Sequence, residues 1–483
     1  MFRLLAVVAV MMLAGQAVSQ TPANMSRVTM VISSRIQTEG DYVRISGEVR
    51  GVVDPREPVV DLASLPRNSA GQYEYRSNFE IIQRVPYGPG KPQTEVLYID
   101  SENRGSAVSQ GALGAFLKNH ATAYARVQWQ TGISAGVPEN AQGVGLVIMR
   151  DFARWLGGRT PKPQTQGEST DYLDFLGPYP KLILGGISQS AWFVNTFIAE
   201  GFNVDPLTER RVFDGAIAID GIGNWLAINN IAVARGVTKQ TPYVDPNGKP
   251  LSKAELMIRP RTDPVYIDVA NYTDFYRLRA GITSVKVQTR NFRRYDMPSM
   301  HVASRELSNP RCNGGVRIQQ NPLAYAPYMR ALVLGLEKQI GVKSAAGAHN
   351  LPDSALFRLA TEQPPAGPGF NPLPGVKTLV PMTNGDAIPQ GGVRFPELTL
   401  PIGKPVPPSL PPAVTTSISE TCGNSGGFQP FGKAALNARY GSREIYLGKY
   451  DQALDRLIGG GYLLEEDRMA MLTNIEELYD KWP

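Results

Sequence analysis

One stretch concentrates the residues able to do chemistry. Leu182-Ile183-Leu184-Gly185-Gly186-Ile187-Ser188-Gln189-Ser190 carries an apolar strand into Gly-x-Ser-x-Ser and on into a helical segment. A nucleophilic serine on a sharp strand-to-helix turn adopts strained backbone angles, so the residues two before and two after it must be small. Gly186 and Ser190 meet that need, with Ser190 where a second glycine is usual. Such a turn exposes the Ser188 hydroxyl at a helix N-terminus. There the Gln189 amide can donate to a developing oxyanion. The implied chemistry is attack on an acyl carbonyl; the plain alternative is a Gly/Ser turn in a βα junction.

A serine at neutral pH needs a base, and the base needs an orienting carboxylate. The chain has three histidines, His120, His301 and His349. In this arrangement the chain order is serine, acid, histidine, which sets His120 aside. His301 follows the strand ending Arg294-Tyr295-Asp296, on a loop past the last core strand, and is the expected base. His349, in a Gly/Ala-rich segment, is the rival. Asp274, just beyond the strand Pro264–Val269, is the expected acid. Asp220, one strand earlier, is second, and Asp268 lies inside the strand. The second oxyanion donor is expected from Ser101–Ser106, with Asn103, Arg104 and Gly105 central and Arg104 the named choice.

These residues require a framework of strands feeding loops. Val28–Ile32, Tyr42–Val49 and Gln72–Phe79 alternate β-rich runs with turn signals and predict antiparallel strands. Glu95–Asp100, Ala125–Gln130, Lys181–Ile187, Phe213–Asp220, Pro264–Val269 and Val285–Tyr295 predict further strands. Gly143–Leu156 and Gln189–Glu200 have helical spacing, and Ile445–Trp482 reads as helix broken at Gly459–Gly461. Strands alternating with helices predict an α/β fold, a mostly parallel central sheet with helices on both faces. Gly221–Arg261 is expected as a cap-like insertion, with Trp225 and Leu226 offered to a substrate pocket. Pro- and Gly-rich segments from residue 351 onward are expected to wrap the surface as a C-terminal extension to 483.

Composition excludes several classes. The chain has 483 residues, 42% hydrophobic and 19% charged, a globular balance. Its net charge of +6 is spread without a basic arm or a nucleic-acid-binding motif, so no nucleic-acid partner is expected. No metal site and no cofactor are implied. Residues 1–19 read as a secretory signal cut before Gln20, too short for a membrane span. An exported, periplasmic or extracellular protein with no integral membrane segment is therefore expected. In an oxidising compartment Cys312 and Cys422 could close one disulfide; two separate buried thiols are the alternative.

Several blocks resemble one bacterial family, the alpha/beta hydrolase domain-containing proteins. They are GISQSAWFVNTFIAEGFN (186–203) followed by RVFDG (211–215), YTDFYRLRAG (272–281), the segment Arg294–His301, GGVRFPELTLP (391–401) and CGNSGGFQPFGK (422–433). The early stretch Gly47–Phe79 also matches, so the resemblance covers nearly all of the chain after residue 19. It implies an α/β-hydrolase fold over 20–483 and a Ser-His-acid triad carried onto Ser188, His301 and Asp274. Ala191 stands where the family usually has Gly, and Asp274 where it more often has Glu. The expected function is an exported serine esterase acting on a small-molecule or polymeric ester through an acyl-enzyme. The alternatives are an acyltransferase, a depolymerase of polyester or acylated polysaccharide, or a binding protein on a hydrolase scaffold. Nothing in the sequence sets the oligomeric state.

Overall fold

A computed structural model describes residues 27–37, 42–84, 94–120, 122–130, 137–158, 177–221, 226, 228–229, 251–278, 280–283, 289–299, 321–361, 379–407 and 426–481. The expected signal (1–19), Trp225, His301, Cys312 and Cys422 lie outside these residues.

Nine strands form one sheet: β1 (Arg27–Gln37), β2 (Tyr42–Val53), β3 (Tyr73–Arg84), β4 (Val96–Asp100), β5 (Thr122–Val127), β6 (Lys181–Ile187), β7 (Gly215–Ile219), β8 (Val265–Asn271) and β9 (Phe292–Met297). Their spatial order is β1-β2-β3-β5-β4-β6-β7-β8-β9. The pairs β1–β2, β2–β3 and β3–β5 are antiparallel, and every pair from β5 to β9 is parallel. The expected mixed sheet is thus present, with shifted edges. The strand read at Ala125–Gln130 starts at Thr122. The one read from Val285 is described only from Phe292, after the turn at Thr289.

Alternation along the strands sends side chains into two apolar layers. Leu97, Ile99, Leu182 and Leu184 point to one layer, shared with α2 (Val144–Leu156) and α3 (Gln189–Ala199). Val96, Tyr98, Ile183 and Ile187 point to the other. That second layer is covered by α1 (Val108–Asn119) and α6 (Ala326–Gln339). It also takes Leu454, Leu457, Ile475 and Tyr479 from the C-terminal helices. Between α3 and α6 lie the short α4 (Lys253–Leu256) and α5 (Tyr272–Arg277); α7 (Pro396–Thr399), α8 (Lys433–Tyr440), α9 (Arg443–Gly459) and α10 (Arg468–Lys481) complete the chain. Arg330 on α6 bonds Ala112 O on α1 (2.8 Å) and Asp467 beside α10 (2.5 Å), tying the chain end to α1. No helix among the described residues is long and apolar enough to cross a membrane.

The chain runs from β4 to β5 on one side, then back past β4 to β6 on the other. The strand order therefore reverses between β4 and β6. In such sheets the crevice outside the carboxyl ends of these two strands is where ligands sit. The loops that matter are those leaving β4 and β6, with those leaving β7, β8 and β9 further along the same edge.

Candidate active site

Ser188 lies where β6 becomes α3, with φ +60° and ψ −122°. A positive φ is uncommon for a side-chain-bearing residue and costs strain that the surroundings must hold. Three contacts hold it. Ser188 N–H donates to Ile219 O on β7 (2.9 Å). Ser190 Oγ accepts from Ile187 N and donates to Ile187 O, both at 2.8 Å, so this serine staples the two arms of the turn. Ser101 Oγ, from the loop after β4, donates to Gly185 O (2.7 Å) and Ser190 O (3.1 Å). The smallness asked of position 186 has a direct cause. A Cβ there would lie 2.5 Å from Ser190 O and 2.6 Å from Ser101 Oγ. Ser190 keeps the turn tight with its hydroxyl where a glycine would rely on absence of a side chain. Ala191 sits against Gly221, where a Cβ would be 3.0 Å from the Ala191 methyl.

The loop after β4 forms a tight turn over Asn103-Arg104-Gly105-Ser106. Asn103 N–H donates to Ser106 O (2.9 Å) and Ser106 N–H to Asn103 O (3.0 Å). Arg104 and Gly105 both have positive φ, +52° and +80°, the type I′ geometry. The Asn103 amide, one of the expected candidates, is thus engaged inside the turn. Ser101 N–H is likewise spent, on Gly185 O (2.8 Å). The tip amides of Arg104 and Gly105 are not used by the turn's own pairing. The turn is tied to the elbow by side chains, Asn103 Nδ2 to Ile187 O (3.4 Å) and Arg104 Nε to Gln189 Oε1 (3.1 Å).

Beneath this loop Asp100 is fully buried at the end of β4. It accepts from Ser109 N (2.9 Å), Ser109 Oγ (3.1 Å) and Tyr124 OH (2.8 Å). Burial outweighs these bonds and lifts its pKa to about 6.

The carboxylates separate clearly. Asp268, mid-strand in β8, is paired with Lys253 from the insertion and lies 3.8 Å from Arg294, so it is committed to the core. Burial opposes the Arg294 charge, but Asp296, Asp268 and Asp274 more than offset it and hold the guanidinium above its ordinary value. Asp274 and Asp220 converge on one residue that sequence reasoning missed, Asn271. Asn271 N–H donates to Asp274 Oδ2 (2.8 Å) and its Nδ2 to Asp220 Oδ1 (2.6 Å). Its Oδ1 accepts from Ser299 Oγ, on the loop leaving β9, and Tyr272 N–H donates to Ser299 O (2.9 Å). Asn271 thus gathers the carboxyl ends of β7, β8 and β9. Its only sequence signal was its place as the last strand residue before an acid. Tyr325, at the start of α6, feels both acids; burial, then Asp220 and Asp274, push its hydroxyl upward.

The two described histidines share one sheet edge. His120 follows α1, just before β5 begins, stacked on Phe116 and 3.3 Å from Glu466. His349 is exposed and packs beside Gly461. Its segment reaches the start of β4, where Ser344 N–H donates to Glu95 Oε2 (2.9 Å). Both lie toward the amino ends of the parallel strands, opposite the edge that carries Ser188. His301 is outside the described residues; Ser299, two positions before it, lies against Asn271 and Tyr272.

Of the insertion, Leu226 is buried in the layer with Trp192 and Phe197. Its N–H donates to Thr196 Oγ1 on α3 (2.9 Å), so the residue is first an anchor of the insertion on that helix. Asn229 clamps further, accepting from Val60 N (2.8 Å) and donating to Pro58 O (2.8 Å) and Glu200 Oε2 (2.9 Å). Among the described residues no group of three or more His, Cys, Asp or Glu is placed to hold a metal ion.

No curated protein matches the chain. Among solved structures it is similar to the carboxylesterase Cest-2923 of Lactobacillus plantarum, at 11% identity over 42% of this chain and 68% of that one, TM-score 0.26. It is also similar to a dienelactone hydrolase of Anabaena variabilis (10%, 47% and 82%, TM-score 0.26). A third is an esterase of Thermogutta terrifontis (10%, 40% and 67%, TM-score 0.23). The family model described as alpha/beta hydrolase domain matches residues 100–473, from the end of β4 into α10. By that match the chain belongs to the alpha/beta hydrolase domain family.

Proposed function

We propose that the chain is an exported serine hydrolase that cleaves carboxylic esters. Ser188 attacks the carbonyl and His301 takes its proton, later passing it to the leaving alcohol. Asp274 orients the imidazole and stabilises its charged form. The amides of Gln189 and Arg104 receive the oxyanion, and a water activated by His301 releases the acid from the acyl-enzyme. The observation that carries this reading is the strained, half-buried Ser188, held at a strand-to-helix turn by bonds from three neighbouring segments. Support for the other two members is positional: the loops leaving β8 and β9 meet at Asn271 and Ser299 on the same sheet edge.

Ser188→Ala is expected to abolish hydrolysis of short p-nitrophenyl esters and labelling by a fluorophosphonate, with the melting temperature kept. Asp274→Asn and His301→Ala should each lose a factor of about 10³ or more, while His349→Ala stays near wild type. Full activity of purified Ser188→Ala removes the nucleophile. A larger loss in Asp220→Asn than in Asp274→Asn moves the acid to Asp220.

A further inference from the structure

Arg104 is an arginine with an address but, among the described residues, no counter-ion. It sits at the tip of the turn beside the elbow, exposed, with its Nε donating to Gln189 Oε1 at 3.1 Å. Gln189 is the residue after Ser188, so this bond fixes a guanidinium next to the reacting centre. The Gln189 amide is neutral; it orients the cation without balancing it. The acids of the same loop are engaged elsewhere. Asp100 accepts from Ser109 and Tyr124, and Glu102 pairs with Arg126 at 3.0 Å. Among the described residues no carboxylate lies within ion-pair distance of Arg104. With Nε held, its two Nη groups remain as a parallel pair of donors, the geometry that suits a carboxylate.

Sheet order decides which half of an ester lies there. In the ester-hydrolase reading the leaving alcohol faces its proton donor, the histidine that follows Ser299 in the chain on the loop leaving β9. Arg104 belongs to the β4 loop, on the other side of β6. The part of the substrate beside Arg104 is therefore the acyl chain. We infer that the Arg104 guanidinium recognises a carboxylate carried by the acyl group, so that the preferred substrates are half-esters of short dicarboxylic acids. This rests on the reading of Ser188 as the nucleophile of an ester hydrolase.

The test compares ethanol release from monoethyl succinate and from ethyl pentanoate by the full chain. Wild type should favour the half-ester in kcat/KM. In Arg104→Gln the ratio of the two values should fall about tenfold to hundredfold, mainly through KM, because a charge-assisted bond is lost for one substrate only. Arg104→Lys, which keeps charge but not the paired donors, should fall in between. Using the ratio cancels any effect that the substitution has on the turn itself. As a second readout, succinate should protect wild-type Ser188 from fluorophosphonate at lower concentration than butyrate does. Ser188-dependent turnover of both esters with a ratio unmoved in Arg104→Gln, or equal protection by the two acids, overturns this inference alone. Turnover of neither ester by wild type, or equal turnover by Ser188→Ala, overturns the ester-hydrolase reading and this inference with it.

Discussion

Gly186→Ala isolates the geometry of the elbow from its chemistry. The added methyl would start 2.5 Å from Ser190 O and 2.6 Å from both Ser190 C and Ser101 Oγ. An ordinary contact needs roughly 3.5 Å, so about 1 Å of separation must be found. Two of the three atoms are backbone of the first turn of α3, and the third is the hydroxyl that binds Gly185 O and Ser190 O. Neither side yields without moving Ser188. Overpacking of this kind costs about 1–3 kcal/mol of stability, and a misplacement of about 1 Å at a reacting group costs roughly 10²-fold in rate. The variant should therefore remain folded at 25 °C, melt several degrees lower, and react with a fluorophosphonate about a hundredfold more slowly. Stopped labelling time-courses and a thermal melt on the same preparation measure both. Wild-type labelling rate with a lowered melting temperature would show that the elbow absorbs the methyl without displacing Ser188, and the argument from packing would be wrong.

Two further outcomes follow from groups away from the elbow. Glu337 on α6 is buried, with Thr122 Oγ1 donating to its Oε1 (2.9 Å), and burial lifts its pKa to about 8. Between the ordinary glutamate range and pH 8 the folded chain holds a proton that the unfolded chain has lost, so this group's contribution to stability falls as pH rises through that window, by about 1.4 kcal/mol per unit. Glu337→Gln should raise the melting temperature at pH 9 relative to wild type and change it little at pH 4.5; equal shifts at both pH values contradict this. Asn229→Ala removes three bonds that fasten the insertion to the 58–60 segment and to Glu200, at a cost of about 3 kcal/mol, read as a lower urea midpoint. An unchanged midpoint would mean that Leu226 and Thr196 suffice as the anchor.

The elbow was legible in the sequence because its requirement is local: a strained serine needs small neighbours at fixed offsets, and Gly186 and Ser190 occupy them. The strand before Asp274 was legible as the β-rich run Pro264–Val269, observed over Val265–Asn271. Asn271 was not, since its role arises only when the ends of β7, β8 and β9 meet, bringing Asp220 and Ser299 to its side-chain amide and Asp274 to its backbone N–H. The helices α1 and α6 gave weak signals for a different reason. Gly111 and Gly114 interrupt one, with a kink at Gly114, and Gly335 packs against Leu351 in the other, so packing rather than amphipathic pattern sustains them. The spent amide of Asn103 depended on the turn type, which residue identities near Gly105 suggested but did not determine.

The placement of the chain end under the sheet has a consequence for truncation. The layer against α2 and α3 is built almost wholly from residues before 300. The opposite layer is closed only by side chains as late as Ile475 and Tyr479. α1 and α6 cover strand residues such as Tyr98 and Ile183, and the last helices then dock on α6, where Arg330 binds Asp467. The second apolar layer is thus completed from the end of the chain, so a chain stopped before Arg443 would keep one finished face and leave the other short of its last cover.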